Sequence, residues 1–165
     1  MTIRTFKAVL AGSAMLALGL SANAAQAATA TANAKAQILK AITVTKSADL
    51  DFGTIVSGAA ASTVALTTAG ALTCGTGLTC AGTAIPAGFA ITGTNTQVVN
   101  ISTTNASLTG PGAAMNAVLS PSVTSLTITG TAATDVFKVA GVLSVGVNQV
   151  EGVYSGTFTV TANYQ

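Results

Sequence analysis

The chain has 165 residues, of which 50% are hydrophobic and only 6% charged, with 17 glycines, no histidine and no tryptophan. Without histidine there is no imidazole base, no Ser-His-Asp triad and no histidine ligand for zinc, so an enzyme is not expected. The length suits one domain with a real core, and the Gly, Ala, Thr and Ser content points to short strands and turns.

In chain order, Arg4 and Lys7 precede an apolar run from Ala8 to Leu20, which is short for a bilayer span. Small-residue patterns come next, at Ala22-Asn23-Ala24 and Ala25-Gln26-Ala27. Residues 1–27 therefore read as a signal peptide cut after Ala27. The remainder of the chain carries Lys35, Lys40, Lys46 and Lys138 against Asp49, Asp51, Asp135 and Glu151, a net charge of zero. So neutral a surface lacks the cationic patch that nucleic acid requires, and it lacks the self-repulsion that keeps small proteins apart. No lipid-accepting cysteine, second spanning stretch or hydrophobic tail is seen, so no transmembrane segment is expected after cleavage. The expected destination is the periplasm, then the cell surface or medium.

Residues 28–37 form an N-terminal extension to a domain over 38–165. Ala30, Ala32, Ala34, Ala36 and Ile38 alternate with Thr31, Asn33, Lys35 and Gln37, the register of a strand that can be donated to another sheet. Each alanine would bury only about 0.5 to 1 kcal/mol of apolar area, leaving such a contact to the backbone ladder and Ile38. The same segment also reads as a flexible lead into the first strand.

Further on, strands are expected at Ile38–Thr45, Leu50–Val56, Thr63–Thr67, Gln97–Thr103, Met115–Leu119 and Val123–Thr129. Period two is clear in Phe89, Ile91 and Gly93, and in Phe137, Val139, Gly141, Leu143, Val145 and Val147. Pro86, Pro111 and Pro121 fall between them, and Ala59–Gly82, low in complexity, is assigned to a loop or long edge hairpin. Strands this frequent with no helical stripe favour an antiparallel sandwich over a βαβ architecture. Within the low-complexity stretch Cys74 and Cys80 are expected to form a structural disulfide, worth about 2 to 2.5 kcal/mol for so short a loop. Asp49 and Asp51 read as a solvated turn, since no third acidic ligand accompanies them. Asn100 and Asn105 head chance glycosylation sequons, the aromatic residues fall in core register, and no cofactor, metal or sugar site is expected.

The end of the chain is the most informative part. Gly152, Tyr154, Gly156, Phe158, Val160, Ala162 and Tyr164 alternate with Ser155, Thr157, Thr159, Thr161 and Asn163, giving one apolar and one hydroxyl-rich face. Only Gln165 comes after them in this sequence, so the outer edge of that strand is left without a cover of its own. An ordinary final strand paired on both sides is the other reading.

This ending resembles that of chaperone–usher pilus subunits, with Tyr164 penultimate, Phe158 and Val160 in alternation, and Gly152 fourteenth from the end. Leu50-Asp51-Phe52-Gly53-Thr54 and Gly152-Val153-Tyr154-Ser155-Gly156-Thr157 also resemble the spore-coat-U-like, or archaic, pilins and the bacterial domain-of-unknown-function family 4402. Spore-coat-U-like subunits place a cysteine on the first strand, where this chain has Ile42 and Thr43, and that favours the uncharacterised family. The resemblance, over roughly residues 38–165, implies an immunoglobulin-like antiparallel β-sandwich lacking its last strand. It would be served by a periplasmic chaperone and an outer-membrane usher and completed by a neighbour's N-terminal extension. Gly152, Tyr154, Phe158, Val160, Ala162 and Tyr164 would be the assembly edge. The function expected is a structural subunit of a fimbria-like assembly, its partners copies of itself or related subunits. A self-complete secreted adhesion or matrix domain is the alternative.

The cysteine assignment is checked by mass. Alkylation of unreduced exported protein is expected to add no label, and alkylation after reduction two, whereas two labels without reductant would exclude the bond.

Overall fold

The computed structural model describes residues 27–165, so the expected leader lies outside the described residues except for Ala27. Two units are distinguished, divided between Ala36 and Gln37. Of the first, Ala27–Ala36 is described: it has no regular secondary structure, and every residue in it is exposed.

The second unit, Gln37–Gln165, carries every strand of the described residues, and these contain no helix. In order they are β1 (Thr43–Ala48), β2 (Thr54–Val56), β3 (Ser62–Leu66), β4 (Leu72–Cys74), β5 (Thr79–Ala81) and β6 (Ala87–Thr92). Then come β7 (Val98–Thr103), β8 (Ala106–Leu108), β9 (Met115–Pro121), β10 (Ser125–Thr127), β11 (Val136–Val145) and β12 (Val160–Tyr164). All pairings are antiparallel.

Strand β11 organises the largest sheet. Val139 pairs with both Ala87 and Pro121, and Gly141 with both Leu66 and Leu119. One edge of β11 therefore carries β9, while the other is taken by β6 along its first half and by β3 along its second. The sheet continues outward through β1 beyond β6, β4 beyond β3 and β8 beyond β9. Where β11 changes neighbours, a Cβ on Gly141 would collide with the Val118 carbonyl oxygen, so only glycine lets β9 come this close. A three-stranded sheet, β10-β7-β12, and a two-stranded one, β2-β5, complete the fold.

Alternation selects what is buried. Met115, Ala117 and Leu119 of β9 point inward while Asn116, Val118 and Ser120 face solvent, and Phe137, Val139, Leu143 and Val145 do the same on β11. Val99 and Ile101 of β7 and Ile128 after β10 join these residues in one core, so the two larger sheets face each other in a sandwich-like arrangement.

Several expectations are corrected. Residues 38–42 do not join the first strand, and Leu50–Val56 is interrupted by a turn in which the Asp51 carboxylate accepts a bond from the Gly53 amide at 2.8 Å. Ala59–Gly82, expected as a loop or a long edge hairpin, is mostly the second: β3 and β4 form a hairpin at the edge of the largest sheet. The stretch contains β3, β4 and β5, with Val64 and Leu66 fully in the core, because its small residues still alternate strictly enough to pair with β11. Pro121 closes β9 instead of lying beyond it, and Val147 is exposed.

The crossover from β10 to β11 joins the two larger sheets and is held by Asp135, whose residue is 1% exposed. Its carboxylate accepts from the Thr129 hydroxyl (2.7 Å), the Thr129 amide (3.0 Å) and the Gly130 amide (3.1 Å), while its carbonyl accepts from the Ile91 amide of β6 (2.8 Å). Burial works to raise this carboxyl, but the hydrogen bonds from Thr129 and Gly130 outweigh it and hold it below the ordinary carboxylate value. A lowered folded-state value means stability that is present above the unfolded value and is lost as pH falls below about 4. Asp135→Asn is accordingly expected to lower the urea midpoint at neutral pH, and its deficit is expected to narrow between about pH 7 and about pH 3. A deficit that stays constant over that range would refute the role of the charge.

Candidate functional site

Two stretches of chain wall the site, and each is paired along one side only. The first, residues 43–56, runs along β6 and β5: β1 pairs with β6, Asp51 exchanges two backbone bonds with Ile85 at 2.8 Å each, and β2 pairs with β5. The second, residues 155–164, runs along β8 and β7. Ser155 exchanges bonds with Thr109 at 2.8 and 3.0 Å, the Thr104 amide donates to the Thr159 carbonyl at 3.0 Å, and β12 pairs with β7. Among the described residues neither stretch has a ladder on its other side, β1 and β12 being edge strands.

The two stretches, the second continued back through residues 149–154, wall a groove, which the Ser57 hydroxyl closes at one end by donating to the Gln149 carbonyl at 3.1 Å. Lys46–Leu50 lies opposite Gly156–Phe158 around a cavity of about 200 Å³, and Leu50–Ser57 opposite Gln149–Tyr154 around one of about 620 Å³. As one wall advances the other recedes, so the walls are antiparallel. Leu108, Met115, Leu143 and Val145 floor the larger cavity, and Ala87 and Phe89 the smaller. Met115, Leu143, Val145 and Ala87 belong to the buried core, so the groove opens directly onto it. Its rim is acidic: Asp51 and Glu151 line the larger cavity from opposite walls, and Asp49 lines the smaller, bonded to Lys46 at 2.5 Å.

The residues singled out in the C-terminal strand are brought together here, in different ways. Tyr154, Phe158, Val160, Ala162 and Tyr164 are half-buried and pack on the core, while the residues between them are exposed. Regular pairing covers only Val160–Tyr164, although the alternation holds from Tyr154 onward. Phe158 meets Phe89 edge-on at 6.1 Å, and Phe89 stacks on Phe137 at 5.3 Å, which ties the C-terminal wall to the largest sheet. Gly152 is exposed, with φ +142°, and a Cβ there would run into the Pro111 ring. The Tyr154 hydroxyl accepts from the Gly112 amide and the Gln149 side chain and donates to the Val150 carbonyl, each at 2.9 Å.

Tyr164 does more than line an edge. Its hydroxyl donates to the Lys40 carbonyl (2.6 Å) and accepts from the Thr94 amide (2.7 Å), and the Lys40 amide donates to the Thr94 hydroxyl (2.6 Å). The last strand thereby holds the chain at residue 40, just after the candidate donor segment. Within that segment Ala30, Ala32, Ala34 and Ala36 are all exposed, and Ile38 is 93% exposed.

Cys74 and Cys80 are disulfide-bonded with Cα atoms 6.1 Å apart. The bond links β4, at the edge of the largest sheet, to β5 of the two-stranded sheet, so it holds two sheets together and steadies the partner of β2. Asp51 forms a turn with Gly53 and Asp49 lies exposed just after β1, and their position on the groove rim, with Glu151, had no signal in the sequence. The described residues contain no cluster of three or more potential metal ligands.

The comparisons bear on this architecture. The model of the family described as Domain of unknown function (DUF4402) matches residues 42–164. The chain belongs to that family. The DUF4402 match takes in both groove walls and begins just after the candidate donor segment. Neither a curated protein nor a solved structure matches the chain.

Tyr164→Phe removes the bonds to Lys40 and Thr94 while keeping the ring in place. It is expected to cost about 1 to 2 kcal/mol, read as a lower urea midpoint with unchanged slope. An unchanged midpoint would show that the hydroxyl holds nothing.

Proposed function

We propose that this DUF4402 chain is an exported structural subunit of a fimbria- or pilus-like surface assembly, joined to its neighbours by strand addition and without catalytic activity. The observation that carries this reading is the groove: two antiparallel walls, unpaired on the groove side along residues 43–56 and 155–164, floored by the domain's own core. A strand laid between such walls finds hydrogen-bond partners on both sides, and alternate side chains reach an apolar floor.

The residues before the domain suit the part of donor. Residues 28–38 alternate in strand register, and when extended they reach about 36 Å, ample for a groove between strands of this length. An open edge beside half-buried apolar side chains is also an aggregation hazard. That supports a periplasmic chaperone to cover it before assembly and an outer-membrane usher to exchange chaperone for subunit, the arrangement implied by the resemblance to spore-coat-U-like pilins.

Deleting residues 28–37 tests the proposal. The truncated domain is expected to accept a donor but not to give one, so that added to wild-type chains it stops growth. A peptide spanning residues 28–44 is expected to raise its unfolding temperature in a concentration-dependent way. Truncated chains that assemble like the wild type would overturn strand addition. Truncation that unfolds the domain, beyond rescue by peptide, would instead mark a self-complete fold.

A further inference from the structure

Resting on that reading, we infer that the groove selects its occupant by charge, and that the occupant is the N-terminal segment of a second copy of this chain, docked with Lys35 against the acidic rim. After the leader the sequence has four carboxylates. Asp135 is buried in its own loop, and the three exposed ones, Asp49, Asp51 and Glu151, all stand on the groove. Asp49 is answered by Lys46, but no cation lines the larger cavity, where Asp51 and Glu151 face each other from opposite walls. The segment 28–39 is the reverse: Lys35 is its single charged side chain, and the α-amino group of Ala28 adds charge of the same sign. Donor and acceptor parts of one chain thus carry opposite signs, and two donors or two acceptors repel.

The alternation places Lys35 correctly for this. With Ala30, Ala32, Ala34, Ala36 and Ile38 turned to the floor, Lys35 faces outward, where the exposed rim carboxylates are. Ile38 is the one bulky side chain on the floor-facing side, and the larger cavity, floored by Leu108, Met115, Leu143 and Val145, is the space that takes it. Lys35 then lies about 10 Å back along the strand. With the donor running parallel to the first wall, that brings it towards the junction of the two cavities, near Asp49 and Asp51. An exposed ion pair adds little affinity, but complementary charge raises encounter rates and rejects wrong partners, and salt screens it. For a chain with so few charges, this is its main means of telling its own donor from another apolar strand.

The test follows assembly of the chain from Ala28 onward by light scattering, at about 20 mM and about 500 mM salt. Lys35→Glu is expected to slow assembly about three- to tenfold at low salt and by less than about twofold at high salt. Glu151→Lys, which leaves the larger cavity without net charge, is expected to slow assembly by a smaller factor, and an equimolar mixture of the two variants to assemble faster than Lys35→Glu alone, because the acidic donor then meets a rim that is no longer acidic while the unaltered Lys35 of the other variant meets an intact one. All the substituted side chains are exposed, and unchanged urea midpoints verify that the fold is intact. If Lys35→Glu assembles like the wild type at low salt while deletion of residues 28–37 still stops growth, charge selection is overturned and strand addition stands. If the deletion does not stop growth, strand addition itself fails and this inference with it.

Discussion

Everything in the larger sheet takes its register from β11, which has two edges and three neighbours. A strand can satisfy its backbone groups along one continuous partner or along two in succession, and β11 does both, with β9 on one side and β6 followed by β3 on the other. The exchange of neighbours at Ala140 and Gly141 requires a close approach by β9 that only glycine permits. It also decides where the rest of the chain can lie. Because β6 occupies the first half of β11, β1 is carried outward as an edge strand, and the continuation through β2 leaves that sheet to pair with β5.

The groove is a consequence of that layout. The first strands and the last strand end up on different sheets, each with one side unpaired, above core residues that neither sheet covers completely. The graded burial along both walls records this: Ile42, Val44 and Leu50 on one side, and Tyr154, Phe158, Val160 and Ala162 on the other, point inward yet are only half-buried. In a finished sandwich such positions would be among the most buried. Here they stay half-buried, and the proposed strand would cover them and carry its outward side chains past the acidic rim.

With few charges and no long-range ion pairs among the described residues, the domain is fastened instead by hydroxyls, one carboxylate and one disulfide. Tyr164 joins residues 124 positions apart, Asp135 closes the crossover between the two larger sheets, and Cys74–Cys80 binds the edge of one sheet to the two-stranded one. Each fastener lies where two sheets or two chain ends meet, where backbone ladders stop and cannot contribute. The hydrophobic core supplies the bulk of the stabilisation, and these contacts determine which ends are held in place.

The information legible in the residues alone was local. Period-two alternation, readable over a few neighbouring residues, identified the antiparallel all-β class, the buried face of β11 and the inward set from Tyr154 to Tyr164, since side chains alternate across a strand whatever it pairs with. Two cysteines in an otherwise bland stretch were enough to expect their bond. Partner choice was not legible: a strand was expected at Thr63–Thr67, but β4 and β5 were not, and only the pairing of β3 with β11 makes Val64 and Leu66 core. The sealed carboxylate of Asp135 and the hold of Tyr164 on Lys40 likewise needed the tertiary structure. So did the groove itself, which is built from the two ends of the domain and exists only once about a hundred intervening residues have brought them face to face.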